Sequence, residues 1–249
     1  MPEFSVDTLT SAGRYVRSVE RRGGGRRAVA TAWLRRPRDA RTYKFVMQQA
    51  PIVEARLTGT NRTRFAAALR EHASIGPRLS QPLSILHIAA SDEEYLRGRH
   101  KQALRTNVSH AIEAGCECTV VTNESGLAPI NDLLAARRRH HGWQDLTEAV
   151  VGPNVLVLVG REPPDEHAVV ATAWVCDDWA LLDKFVRLLP DRGKGWSRHL
   201  LQLRLTRHLR DRGVRTLVSG PALSPSPTLH YLRHLWGFEP AHVDVRLTP

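Results

Sequence analysis

Hydrophobic positions along this chain follow two regimes. From Cys118 onward they form short apolar runs cut by turn residues, and Cys118–Thr122, Val155–Val159, Val169–Cys176 and Ala180–Leu189 each read as strands. Asn123-Glu-Ser-Gly126, the polar segment Glu162–His167 and Asp177-Asp178 punctuate them. Ile130–His141 is read as a helix with Leu133 and Leu134 inward, and Ser197–Arg212 as a second, carrying Leu200, Leu201, Leu203, Leu205 and Leu209 up to Gly213. Val214–Val218 is a strand and Gly220–Pro227 a rigid loop. Thr228–Trp236 is a short helix stopped by Gly237-Phe238, and Val243–Leu247 is a closing strand.

Before Cys118 the pattern is less regular. Ser11–Arg22 is partly helical, while Ala28–Leu34 and Tyr43–Met47 read as strands joined by a turn at Arg35-Arg-Pro-Arg-Asp39. Arg21-Arg-Gly-Gly-Gly-Arg-Arg27 is a basic loop, either a solvated hairpin tip or a contact for a phosphate backbone. Thr60 or Asn61 caps a helix to about Ala73, with Phe65, Ala68 and Leu69 on one face. Leu83–Ile88 is a short buried strand. Ser91 and Glu94 have capping-box spacing and open a long helix that Gly115 ends. Leu104, Val108, Ala111 and Ile112 form its apolar stripe, and Arg97, Arg99, His100, Lys101 and Arg105 make the rest basic.

The stretch Phe185–Leu201 carries the clearest chemistry. An apolar run ends at Pro190, a basic glycine-bearing turn follows, and an amphipathic helix begins near Trp196 or Ser197. Gly193 and Gly195 let successive N–H groups converge, and a helix start adds unpaired N–H groups and a positive dipole end. Arg192, Lys194 and Arg198 supply formal charge around the same point. In outline this is a phosphate cradle.

Arg192, Gly195 and Ser197 resemble the acyl-CoA-binding motif of the GCN5-related N-acetyltransferase (GNAT) superfamily, with Ser197 in place of its last glycine or alanine. The order of elements from about Cys118 to Leu247 and the Gly237-Phe238 pair resemble the same superfamily. Lys101-Gln-Ala-Leu-Arg105-Thr-Asn107 with Ala111, Ala114 and Gly115 resembles the helix leading into the second half of FemAB-type aminoacyltransferases, which contain two GNAT-like halves. The resemblance implies an α/β (α+β) fold with a mixed, mostly antiparallel sheet flanked by helices. It implies an N-terminal region over residues 1–90 forming a partial GNAT-like half, a basic connecting helix over 91–115 and an acyltransferase domain over 116–249.

By the same resemblance, Arg187, Leu188 and Leu189 line a pantetheine arm, and Arg192, Gly193, Lys194, Gly195, Trp196 and Ser197 surround the pyrophosphate of acetyl-CoA or another acyl-CoA. Transfer to an amine needs an unprotonated acceptor, a stabilised oxyanion and a proton for the leaving group. The superfamily often places a proton-donating tyrosine four residues before the Gly of Gly-Phe; that position is Arg233, and Tyr231 lies two residues earlier, with His230 and His234 beside it. Asp183 is the best-placed candidate base, with Asp177 and Asp178 behind it. The implied activity is N-acyl transfer from acyl-CoA to an amine. An aminoacyl-tRNA-dependent transferase is the alternative, and a nucleic-acid-binding relative without catalysis is a third.

Composition adds boundaries. The 249 residues are 42% hydrophobic, enough for a core, and carry no apolar run of membrane-spanning length. No basic region followed by an apolar one opens the chain, so a soluble cytoplasmic protein is expected. Three cysteines, with Cys116 and Cys118 one residue apart, point neither to a disulfide framework nor to a zinc site, and no metal is expected. The formal charge of +11 favours anionic partners: a nucleotide cofactor, RNA such as tRNA, DNA or an acidic membrane surface.

Overall fold

The structure, a computed structural model, describes residues 4–75, 79–141, 146–188 and 195–248. In chain order it contains α1 (Val6–Glu20), α2 (Arg26–Arg35), α3 (Pro37–Gln49), β1 (Ile52–Leu57), α4 (Arg62–Ala73), β2 (Ser74–Ile75), β3 (Leu79–Ser80) and β4 (Leu83–His87). A single helical turn, α5 (Asp92–Tyr95), precedes α6 (Gln102–Glu113), β5 (Glu117–Val120), α7 (Glu124–His141), β6 (Val155–Glu162), β7 (Asp165–Cys176) and β8 (Trp179–Arg187). Then come α8 (Ser197–Asp211), β9 (Thr216–Pro221), α9 (Pro227–Trp236) and β10 (Glu239–Leu247). The class is the expected one, helices flanking mostly antiparallel strands.

The chain divides into two compact units, one of residues 1–87 with 216–249 and one of residues 88–215. This division differs from boundaries at 90 and 115. The helical segment after Ser91 belongs to the second unit, and the last strands return to the first because β9 and β10 pair with β4.

In the first unit the strands run in the order β1-β10-β4-β9, with β1 parallel to β10 and the other pairs antiparallel. Helices α1 to α3 bury a cluster that includes Tyr15, Val16, Val19, Ala28, Ala32, Tyr43 and Val46. Ala28–Leu34 and Tyr43–Met47 are therefore helical, correcting the expected strands. Ala28 and Ala32 are buried while Ala30 between them is exposed, and Ala40, Tyr43 and Val46 are buried at i, i+3, i+6, patterns that a helix satisfies and a strand does not. Pro37 sits in the first turn of α3, where its missing N–H costs nothing. Asp39, buried to 8% exposure, accepts from Ser11 Oγ at 2.6 Å and from Arg14 and Arg36. Burial alone would raise its pKa, but these donors outweigh it and hold the carboxyl below its ordinary value.

In the second unit, β5-β6-β7-β8 is an antiparallel meander in sequence order. Its strands extend further than the apolar runs: β6 reaches Glu162 and β7 begins at Asp165, so the polar segment expected as a loop is the tip of a hairpin. One face covers a core of Val157, Val159 and Val170 with Leu127, Ile130 and Leu134 of α7. The long helix expected after Ser91 is broken. Ser91 Oγ caps α5 by accepting from the Glu94 N–H at 3.0 Å, and the Glu94 carboxylate accepts from the Ala90 N–H at 2.8 Å. The chain then opens at Gly98 before α6 begins. Asp92 takes Arg207 Nε at 2.7 Å and an Arg210 terminal nitrogen at 2.9 Å, tying α5 to α8.

Candidate active site

The candidate site lies where β8 gives way to α8. The meander ends in register, with Arg187 opposite Val169 and the Leu188 N–H donating to the Ala168 carbonyl at 2.8 Å. Leu188 is buried. Leu189, Arg192, Gly193 and Lys194 lie outside the described residues; Gly195, Trp196 and Ser197 lead into α8.

Gly195 has φ +73°, a left-handed conformation, and an added Cβ would lie 3.4 Å from the Arg187 guanidinium. The left-handed backbone is what selects glycine; the Arg187 contact is an ordinary one. The Gly195 N–H donates to Glu162 Oε1 at 3.0 Å, and the Ser197 N–H and Oγ donate to Glu162 Oε2 at 3.3 and 2.7 Å. Glu162 is 6% exposed and stands at the end of β6. A carboxylate at the first turn of a 15-residue helix meets the positive dipole end and the unpaired N–H groups, the interactions expected of a bound phosphate. The anion at this helix terminus comes from the chain itself.

This contact escaped the sequence. The segment Glu162-Pro-Pro-Asp-Glu-His167 reads as solvated, and its partners lie 33 and 35 residues downstream. Gly160 in the same strand is no signal of it, since an added Cβ there would meet the Val169 side chain of the hairpin at 2.6 Å.

The remaining groups around the first turns of α8 are held internally. The Trp196 ring lies against His110 of α6, with centroids 5.2 Å apart. Arg198 Nε lies 3.3 Å from His199 Nε2, which makes that nitrogen the acceptor. Burial, with the charge of Arg198, lowers the His199 pKa to about 4. Lys101 Nζ sits 4.9 Å from the Tyr95 ring centroid, and burial raises the pKa of the Tyr95 hydroxyl.

The candidate base and proton donor look different in place. Asp183 is the extra residue of a bulge in β8; its carboxylate is ion-paired to Lys184 and accepts from Thr172 Oγ1 at 3.1 Å. Tyr231, in the first unit, is 53% exposed on α9. Arg233, at the superfamily's tyrosine position, donates to the Ser219 and Pro221 carbonyls. His230 is buried with Nε2 at 2.7 Å from the Ser224 carbonyl, whereas His234 is exposed. Burial pushes the thiols of Cys116 and Cys176 up to about 11 and that of Cys118 up to about 12, far from the thiolate a nucleophile requires. Among the described residues no group of three His, Cys, Asp or Glu side chains could hold a metal, and no helix is long and apolar enough to cross a membrane.

A pyrophosphate on the Gly195 and Ser197 N–H groups would meet the Glu162 carboxylate already there.

No family model matches the chain, and no curated protein matches it. Among solved structures it is similar to the C-terminal domain of an Agrobacterium fabrum protein named for lysylphosphatidylglycerol synthetase, at 18% identity and TM-score 0.46, covering 64% of this chain and 58% of that one. It is similar to FemX at 12% identity and TM-score 0.49, over 65% and 60%. A tandem GNAT protein from the clavulanic acid biosynthesis pathway matches at 17% identity and TM-score 0.40, over 87% and 67%. The chain spans 58% and 60% of the first two.

Proposed function

We propose that this chain is an acyltransferase acting on an amine, and that its donor is an aminoacyl-tRNA. The observation that carries the choice of donor is Glu162. The Gly195 and Ser197 N–H groups donate to a buried carboxylate, so these two donors are satisfied without a donor pyrophosphate. An aminoacyl ester needs no such cradle at the reacting end, and a chain of formal charge +11 suits a polyanionic carrier. In the transfer, the neutral amine attacks the ester carbonyl and the carbon–oxygen bond breaks. The RNA hydroxyl leaves with a proton, and the nitrogen gives one up. Asp183 stands as the candidate to take the proton from the nitrogen.

A second reading keeps acyl-CoA as donor, with Arg187, Leu188, Leu189, Arg192, Gly193, Lys194, Gly195, Trp196 and Ser197 as its contacts. It is favoured by the sequence of strand, left-handed glycine and helix. Binding to the full chain separates the two. Charged tRNA is expected to bind with an affinity that falls steeply as salt rises, while acetyl-CoA leaves the melting temperature unchanged. An acetyl-CoA-induced rise in melting temperature that Arg192→Glu abolishes would replace the first reading with the second.

A further inference from the structure

The first unit contains a cavity of about 860 Å³ walled by arginines. Arg14, Arg21, Arg22 and Arg36 stand exposed around it, and Arg233 forms part of its buried wall. Arg14 and Arg36 share Asp39, and Arg17, also on the rim, lies 3.7 Å from Glu20. Six guanidinium groups therefore stand against two carboxylates.

The wall is built closely. Gly13 of α1 packs so near the segment after β9 that an added Cβ would come 2.1 Å from the Ser224 carbonyl oxygen. That approach sets the arginines of α1 opposite Arg233 of α9. Arg233 is 9% exposed; two of its nitrogens donate to the Ser219 and Pro221 carbonyls, and its Nε has no acceptor among the described residues. No carboxylate pairs with it among the described residues, and burial lowers its pKa to about 10. Gln81, 4% exposed on the same wall, has an Oε1 with no donor among the described residues. Buried polar groups are nearly always paired, so an uncompensated cation and an unpaired acceptor in one wall point to a partner from outside the chain.

We propose that this cavity binds a small molecule bearing two or more phosphate groups, held by Arg21 and Arg22 at the rim with the buried charge of Arg233 behind them. Guanidinium forks match phosphate oxygens in pairs, the excess charge calls for a multiply charged anion, and the volume suits a ligand of nucleotide size. The site lies wholly in the first unit and stands apart from the donor question.

Calorimetric titration of the full chain with inorganic pyrophosphate, and separately with ATP, at fixed ionic strength tests it. Saturable binding at one site is expected for both. The double variant Arg21→Glu/Arg22→Glu, at exposed positions, is expected to weaken both at least tenfold, and Arg233→Met to weaken them further if it folds. The charge-matched control Arg138→Glu/Arg139→Glu, on exposed positions of α7, is expected to leave binding within twofold. Absence of saturable binding, an equal loss in the control, or binding of RNA without binding of either probe would each overturn the assignment.

Discussion

The start of α8 in the second unit and the arginine-walled cavity of the first treat a concentration of positive potential in opposite ways. At α8 the helix terminus, Gly195 and Ser197 are answered from within by Glu162. In the cavity, Asp39 answers Arg14 and Arg36, while Arg233 is buried against carbonyls with no carboxylate. A charge compensated inside the chain organises structure. One left uncompensated after burial has a cost that a ligand can offset. At the helix start that looks most like a phosphate site, two donors are already taken by Glu162, while the less conspicuous basic segment near the N-terminus borders the cavity where Arg233 has no carboxylate partner among the described residues.

The largest expected effect comes from removing the internal anion. Glu162→Ala leaves the Gly195 and Ser197 donors without their acceptor and should cost about 3 to 4 kcal/mol in urea unfolding. A loss under about 0.5 kcal/mol would mean that the carboxylate does not hold the turn.

Next in size is a pH effect next to the same turn. His199 has a folded pKa of about 4 against an ordinary 6.5, so between these values the unfolded chain binds a proton that the folded chain does not. Stability is therefore full above pH 6.5 and falls as the pH drops towards 4, by about 3 kcal/mol from this group. His199→Gln should remove that part of the slope between pH 6.5 and 4 in thermal unfolding. An unchanged slope would place the loss elsewhere, in carboxylates such as Asp39.

Asp39→Asn gives the smaller effect and sharpens the contrast. It removes the anion shared by Arg14 and Arg36, which should cost about 2 kcal/mol while tightening pyrophosphate binding severalfold as two guanidiniums are released towards the cavity. Weaker pyrophosphate binding would show that Asp39 shapes the site instead of competing with it.

The sequence made the second unit legible where strand and helix signals were local. The apolar runs of β6 to β8, the leucines of α8 and Gly213 behind it gave elements within a few residues of those found. It misled at α2 and α3, where alternating Ala28-Val-Ala-Thr-Ala-Trp-Leu34 imitates a strand although alanine favours a helix and the buried spacing is helical. The break at Gly98 was hidden inside a continuous helical pattern. Glu162 and Arg233 were beyond reach for a different reason. Their roles depend on partners distant in sequence, and nothing local distinguishes a carboxylate at a hairpin tip from a solvated one.

The central claim is that the anion position at the start of α8 is filled by Glu162. Titrating acetyl-CoA by calorimetry into the wild-type chain and into folded Glu162→Ala tests it most directly. No saturable binding to the wild type and a measurable gain in the variant are expected, as the Gly195 and Ser197 donors are released. Saturable wild-type binding that Glu162→Ala leaves equal or weaker would contradict it.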